Sequence, residues 1–132
     1  MKTVGFDTNV LLTLKLKREH GYTKAKALLT DCLDEKIRIY LCLPVLLETE
    51  WVLRSFYKQQ KDKIVSFFEE LLALENLWVP NKPEVQLVVN LYKHSKGVSF
   101  TDSLIVTQIR NQKVDEFLTF DSQLSKLYQT LP

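Results

Sequence analysis

The chain reads as an α/β protein built around a parallel sheet. Short apolar runs of strand length alternate with longer stretches of helical period, and one or two such helices separate each pair of strands. Strands joined through helices run parallel, and their crossovers cover the sheet on both faces. Only three glycines and four prolines occur in 132 residues, which argues against a turn-rich all-β fold and against long linkers.

Thr3 to Phe6 is the first strand, followed at once by Asp7-Thr8-Asn9 and an apolar helical start. Thr23 is placed to cap a helix whose Ala25, Leu28, Leu29 and Cys32 follow the i, i+3, i+4, i+7 rule. Ile37 to Leu41 is the second strand. Pro44 suits the first turn of the next helix, where its missing N–H would have no partner, and that helix runs to about Phe56. Ile64, Phe67, Phe68, Leu71 and Leu72 mark the apolar face of another. Leu77 to Val79 is a short third strand stopped by Pro80. Pro83 opens a helix striped with Val85, Val88, Val89 and Tyr92, and Gly97 ends that segment. A helix from Phe100 to Asn111, a fourth strand from Glu116 to Phe120 and a last helix from Ser122 to Tyr128 complete the pattern.

The length predicts one domain over residues 1–132, able to bury roughly 68% of its unfolded surface. Hydrophobic residues make up 45% and charged residues 26%, the balance of a soluble globular protein. A net charge of +2 does not by itself identify a nucleic-acid partner, but it permits one if the acids gather in one pocket. Cys32 lies on a helical apolar stripe and Cys42 in an apolar run, so both read as packing in a reduced, cytoplasmic protein. Two distant histidines and the absence of CxxC or HExxH argue against zinc. Asp7 interrupts the N-terminal apolar run before it reaches signal-peptide length, and no later run is long enough to span a membrane.

Four acids stand in apolar surroundings. Asp7 and Asp121 follow strands, at the sheet edge where ligand sites of parallel sheets collect. Asp102 shares helical spacing with Ile105, Val106 and Ile109, and Glu48 with Trp51 and Val52, so both are expected on core-facing stripes. Glu50 reads as a solvated helix residue and Trp51 as core packing. Buried carboxylates without nearby cations repel one another unless a hard cation such as Mg²⁺ or Mn²⁺ binds them. Such an ion activates water and neutralises charge on a phosphate, so phosphodiester hydrolysis is the natural reaction class. Singly, Asp7 and Asp121 also suit helix caps, and Asp102 suits a helical first turn. The ligand reading rests on the four together.

The ordered pieces Phe6-Asp7-Thr8-Asn9-Val10-Leu11, Leu46-Leu47-Glu48-Thr49-Glu50-Trp51-Val52-Leu53, Phe100-Thr101-Asp102-Ser103-Leu104-Ile105 and Leu118-Thr119-Phe120-Asp121 resemble the PIN-domain proteins. They are most similar to the VapC-like toxins of toxin–antitoxin pairs, across essentially the whole chain. The resemblance implies a three-layer α/β/α sandwich around a short parallel sheet and an endoribonuclease dependent on Mg²⁺ or Mn²⁺. It implies metal binding by Asp7, Glu48, Asp102 and Asp121, with Asn9 and the Thr119 hydroxyl in support. It also implies a homodimer silenced by a small antitoxin protein. One departure is Gln123, where many relatives carry a further acid two residues after the last aspartate. This predicts one firmly held ion, with a second gained only alongside substrate.

Basic residues cluster at Lys15, Lys17, Arg18, Lys24 and Lys26, and again at Arg54, Lys58, Lys61 and Lys63. Either group can meet phosphates, and solvated helix faces explain them equally well. Single-stranded or looped RNA is the expected substrate, because its backbone and bases are accessible. An aspartyl phosphatase is a rival, but the position two residues after Asp7, where such enzymes want a second aspartate, holds Asn9. The same residues are also compatible with a housekeeping RNA-processing nuclease of that family, or with a catalytically silent RNA- or protein-binding domain.

Overall fold

A computed structural model describes residues 1–131 and divides the chain into two compact units, Met1–Lys82 and Pro83–Pro132. The first unit holds β1 (Lys2–Gly5), α1 (Thr8–Leu16), α2 (Tyr22–Leu33), β2 (Ile37–Tyr40), α3 (Leu43–Ser55), α4 (Lys61–Leu72) and β3 (Leu77–Trp78). Its strands form a parallel sheet in the order β1-β2-β3, as the alternation with helices predicts. The register sets Val4 beside Ile39 and Ile39 beside Leu77. Backbone bonds from Phe6 N–H to Tyr40 (3.1 Å) and from Leu41 N–H to Trp78 (2.9 Å) carry the ladder one residue further.

Alternation along the strands decides what is buried. Ile37, Ile39 and Leu77 point to one face and are buried, continued by Phe6, Leu41 and Val79. On the same unit Leu11, Leu12 and Leu14 of α1, Leu46 and Leu53 of α3, and Ile64, Val65, Phe68, Leu71 and Leu72 of α4 are buried. Helix α1 packs on α2 and α3, α2 on β2, and α3 on α4. Each of these large side chains contributes about 1.5–3 kcal/mol of burial, which fixes the crossover helices on the sheet. The opposite face is different. Thr3, Gly5 and Arg38 are exposed there, Trp78 is 48% exposed, and Tyr40 is half-buried.

The second unit carries α5 (Lys82–His94, starting at the last residue of the first unit), α6 (Phe100–Asn111) and α7 (Ser122–Thr130). The expected stripe Val85, Val88, Val89 and Tyr92 is buried. The Tyr92 ring meets Phe100 edge to face, with centroids 5.5 Å apart. Gly97 has φ +71°, so the turn into α6 favours glycine; the Gln123 amide, 2.9 Å from where a side chain would begin, is the end of an exposed side chain that can move aside. No helix of the described residues is long and apolar enough to cross a membrane.

Several expectations are corrected. Glu116 to Phe120 forms no strand: Leu118 is 71% and Phe120 97% exposed. The Thr119 hydroxyl accepts the Asp121 N–H at 3.1 Å, a local bond that competes with a strand ladder, and Phe117 packs on Tyr128 at 4.9 Å. Helix α2 starts at Tyr22, with Gly21 rather than Thr23 at its cap. Cys42, read as packing, is half-buried at the start of α3 with no side-chain capping bond, while Cys32 is buried as expected. Burial pushes the Cys32 thiol up from its ordinary value.

Candidate functional site

Asp7 caps α1. Its Oδ1 accepts the Val10 N–H at 3.1 Å, and the residue is exposed. Asn9 is exposed in the first turn of the same helix. Glu48 lies on α3, which packs on α1, and it too is exposed. The buried stripe of α3 is Leu46, Thr49, Glu50 and Leu53, at i, i+3, i+4 and i+7. The helix is therefore rotated from the phase that set Glu48, Trp51 and Val52 inward. Trp51 is 58% exposed, and Glu50, expected in solvent, is the buried acid at 1% exposure.

Arg54 makes that burial tolerable. Its Nε donates to Glu50 Oε2 at 2.7 Å from one turn further along the helix. The Thr49 hydroxyl donates back to the Val45 carbonyl at 2.6 Å, so the polar groups of this stripe are bonded. The spacing Glu50–Arg54 is the sequence signal for a paired, inward acid. The apolar company of Glu48 outweighs it when hydrophobicity alone is read.

In the second unit Ser99 caps α6 by accepting the Asp102 N–H at 3.0 Å, so Asp102 sits in the first helical turn and is half-buried. The buried residues of α6 are Phe100, Ser103, Leu104, Val106 and Thr107, while Ile105 is 39% exposed. Asp102 thus flanks the core-facing stripe instead of heading it. Asp121 caps α7, its Oδ1 accepting the N–H groups of Gln123 (2.9 Å) and Leu124 (3.1 Å), and it is exposed. Thr119, half-buried, fixes the Asp121 backbone through its hydroxyl.

These positions change the physical argument for the acids. With Asp7, Glu48 and Asp121 exposed and Asp102 half-buried, a large desolvation cost no longer forces a cation onto them. Their chemistry still suits one. Each capping aspartate commits only Oδ1, and none of the four acids forms an ion pair among the described residues. Carboxylate oxygens are the hard donors that Mg²⁺ and Mn²⁺ prefer. Asp7, Asp102 and Asp121 also sit at helix starts, Asp7 and Asp121 as N-caps and Asp102 in the first turn. No group of three or more His, Cys, Asp or Glu side chains among the described residues is placed to hold an ion.

The basic residues near α1 and α3 are partly engaged. The Arg18 guanidinium donates to the Tyr57 hydroxyl and lies 5.5 Å from its ring centre. Phe56 and Tyr57 meet edge to face at 4.9 Å, with Phe56 73% exposed. Lys17 and Lys58 are exposed at positive φ, each just past a helix end.

The family model described as PIN domain matches residues 5–129. Neither the curated proteins nor the solved structures compared with the chain contain a match.

Proposed function

Because this chain belongs to the PIN-domain family, we propose that it is an endoribonuclease dependent on Mg²⁺ or Mn²⁺, and the toxin of a toxin–antitoxin pair. The family is one of nucleases in general, so a hydrolase acting on phosphodiesters is the coarse reading and the RNA substrate the finer one. The observation that carries the proposal is the state of its four ordered acids. Asp7, Glu48, Asp102 and Asp121 are accessible in whole or part, have no cationic partner among the described residues, and the two caps each keep one oxygen uncommitted.

In this reading the ion would take its oxygen ligands from among Asp7, Glu48, Asp102 and Asp121. When bound, the ion lowers the pKa of water and neutralises charge on the phosphate. The chain's own contribution is to present and orient those oxygens. The helix caps fix the Asp7 and Asp121 side chains, Thr119 positions the Asp121 backbone, and Asn9 offers an amide in the helical turn that Asp7 caps. Exposed apolar residues on the first unit, including Trp51 and Phe56, support an antitoxin or a second copy of the chain as partner. The cytoplasm is the compartment such a partner and an RNA substrate require.

An RNA-cleavage assay tests the proposal. Wild-type protein is expected to cut single-stranded RNA with Mn²⁺ or Mg²⁺ and to stop on chelation, while Asp102→Asn falls by about 100-fold or more under the same conditions. Equal cleavage by the wild type and Asp102→Asn, or cleavage that persists in chelator, contradicts it.

A further inference from the structure

The outer face of the first unit's sheet carries a group of side chains that the acidic residues do not use. One row crosses all three strands: Gly5, Tyr40 and Trp78 are register partners on β1, β2 and β3. The Tyr40 and Trp78 rings lie 4.9 Å apart, tilted by 51°, and Trp78 remains 48% exposed. Beside Tyr40, no atom stands within 4 Å of the point where a Gly5 side chain would begin, so the row continues as open, flat backbone. The neighbouring row sets Thr3 beside Arg38, both exposed.

Cations border this row. The Arg38 guanidinium makes no hydrogen bond or ion pair among the described residues. The Lys82 ammonium is held in place by the Leu74 and Leu77 carbonyls, at 2.6 and 2.8 Å. Arg38, Trp78 and Lys82 line a hollow of about 400 Å³, with Glu75 the one acid among its lining residues. An exposed indole with positive groups at its margin has the chemistry of a base-stacking site. The ring takes a base on its face, and the cations meet the flanking phosphates.

We propose that this sheet face is a stacking platform for single-stranded RNA, with a base on Trp78 and the adjoining phosphate at Arg38 and Lys82. A strand of nucleic acid fits better than a protein partner, because the aromatic pair is bordered by charge, and the centres of protein interfaces are depleted in it. The choice of RNA over DNA rests on the ribonuclease reading. Binding itself is measured without metal, so failure here is separate from failure of cleavage.

The experiment is anisotropy of a short dye-labelled oligouridylate in chelator, with the oligodeoxythymidylate and an RNA duplex as comparisons. Wild-type protein binds the single strand in chelator and the duplex more weakly. Trp78→Ala weakens it by roughly 5- to 100-fold, and Trp78→Phe, which keeps an aromatic face, retains most of the affinity. Arg38→Gln weakens binding and lowers the salt dependence by about one phosphate contact. If Trp78→Ala fails to fold by circular dichroism, the Trp78→Phe and Arg38→Gln arms decide. Absent binding, unchanged affinity in Trp78→Ala and Arg38→Gln, or a duplex bound as tightly overturns the proposal. So does a dimer in the wild type that Trp78→Ala dissolves, which would make the face a protein contact.

Discussion

Glu50 and Glu48 stand two residues apart on α3 and have opposite fates. Glu50 is almost wholly buried and Glu48 exposed, because the apolar side of the helix runs through Leu46, Thr49 and Leu53. A carboxylate in that stripe needs a cation, and Arg54 brings one within 2.7 Å while its own side chain stays 45% exposed. The pair therefore anchors a helix, and solvent reaches only the guanidinium side. Arg54→Ala is expected to destabilise the fold by about 1–3 kcal/mol in chemical denaturation, since it strips a buried carboxylate of its counter-ion. Glu48→Gln is expected to stay within about 0.5 kcal/mol of wild type, as exposed substitutions do, while losing RNA cleavage. A Glu48→Gln variant as unstable as Arg54→Ala would mean that the helix is rotated the other way.

At the scale of elements, legibility followed how strongly periodicity was marked. Helix α5 carries Val85, Val88, Val89 and Tyr92 on one unambiguous stripe, and all are buried. Helix α3 offers two stripes one residue apart, since Leu46, Leu47, Trp51, Val52 and Leu53 are all apolar. A phase chosen by hydrophobicity alone puts Trp51 inside. Packing chooses the other stripe, with polar groups paired by Arg54 and by the Thr49 back-bond. Leu53→Ala should then cost about 2–5 kcal/mol, and Trp51→Ala little, in the same denaturation measurement. The segment from Glu116 to Phe120 has strand composition but no ladder partner among the described residues, and local bonds around Thr119 take its place. Strand propensity reports a surface that fits a sheet; pairing is a tertiary property that composition does not carry.

At the scale of the molecule, the α/β class, the parallel sheet and the family were all legible from the alternation of elements and from four ordered acidic motifs. The surroundings of those acids were not. Spacing placed Glu48 and Asp102 on core-facing stripes and Asp7 and Asp121 at strand ends, and made apolar surroundings the reason for a metal, whereas Asp7, Glu48 and Asp121 are exposed and two of them cap helices. What remains of the argument is local: a capping aspartate has a second oxygen to give. Cap and ligand are separable, because asparagine caps a helix about as well as aspartate but brings no negative charge to an ion. The most direct measurement is therefore Asp7→Asn, with melting temperature and Mn²⁺-dependent RNA cleavage read on the same preparation. A metal-ligating Asp7 predicts a melting temperature close to wild type in chelator together with cleavage reduced by about 100-fold or more. Full cleavage by a stable Asp7→Asn protein would contradict it, and would leave Asp7 as the cap of α1 alone.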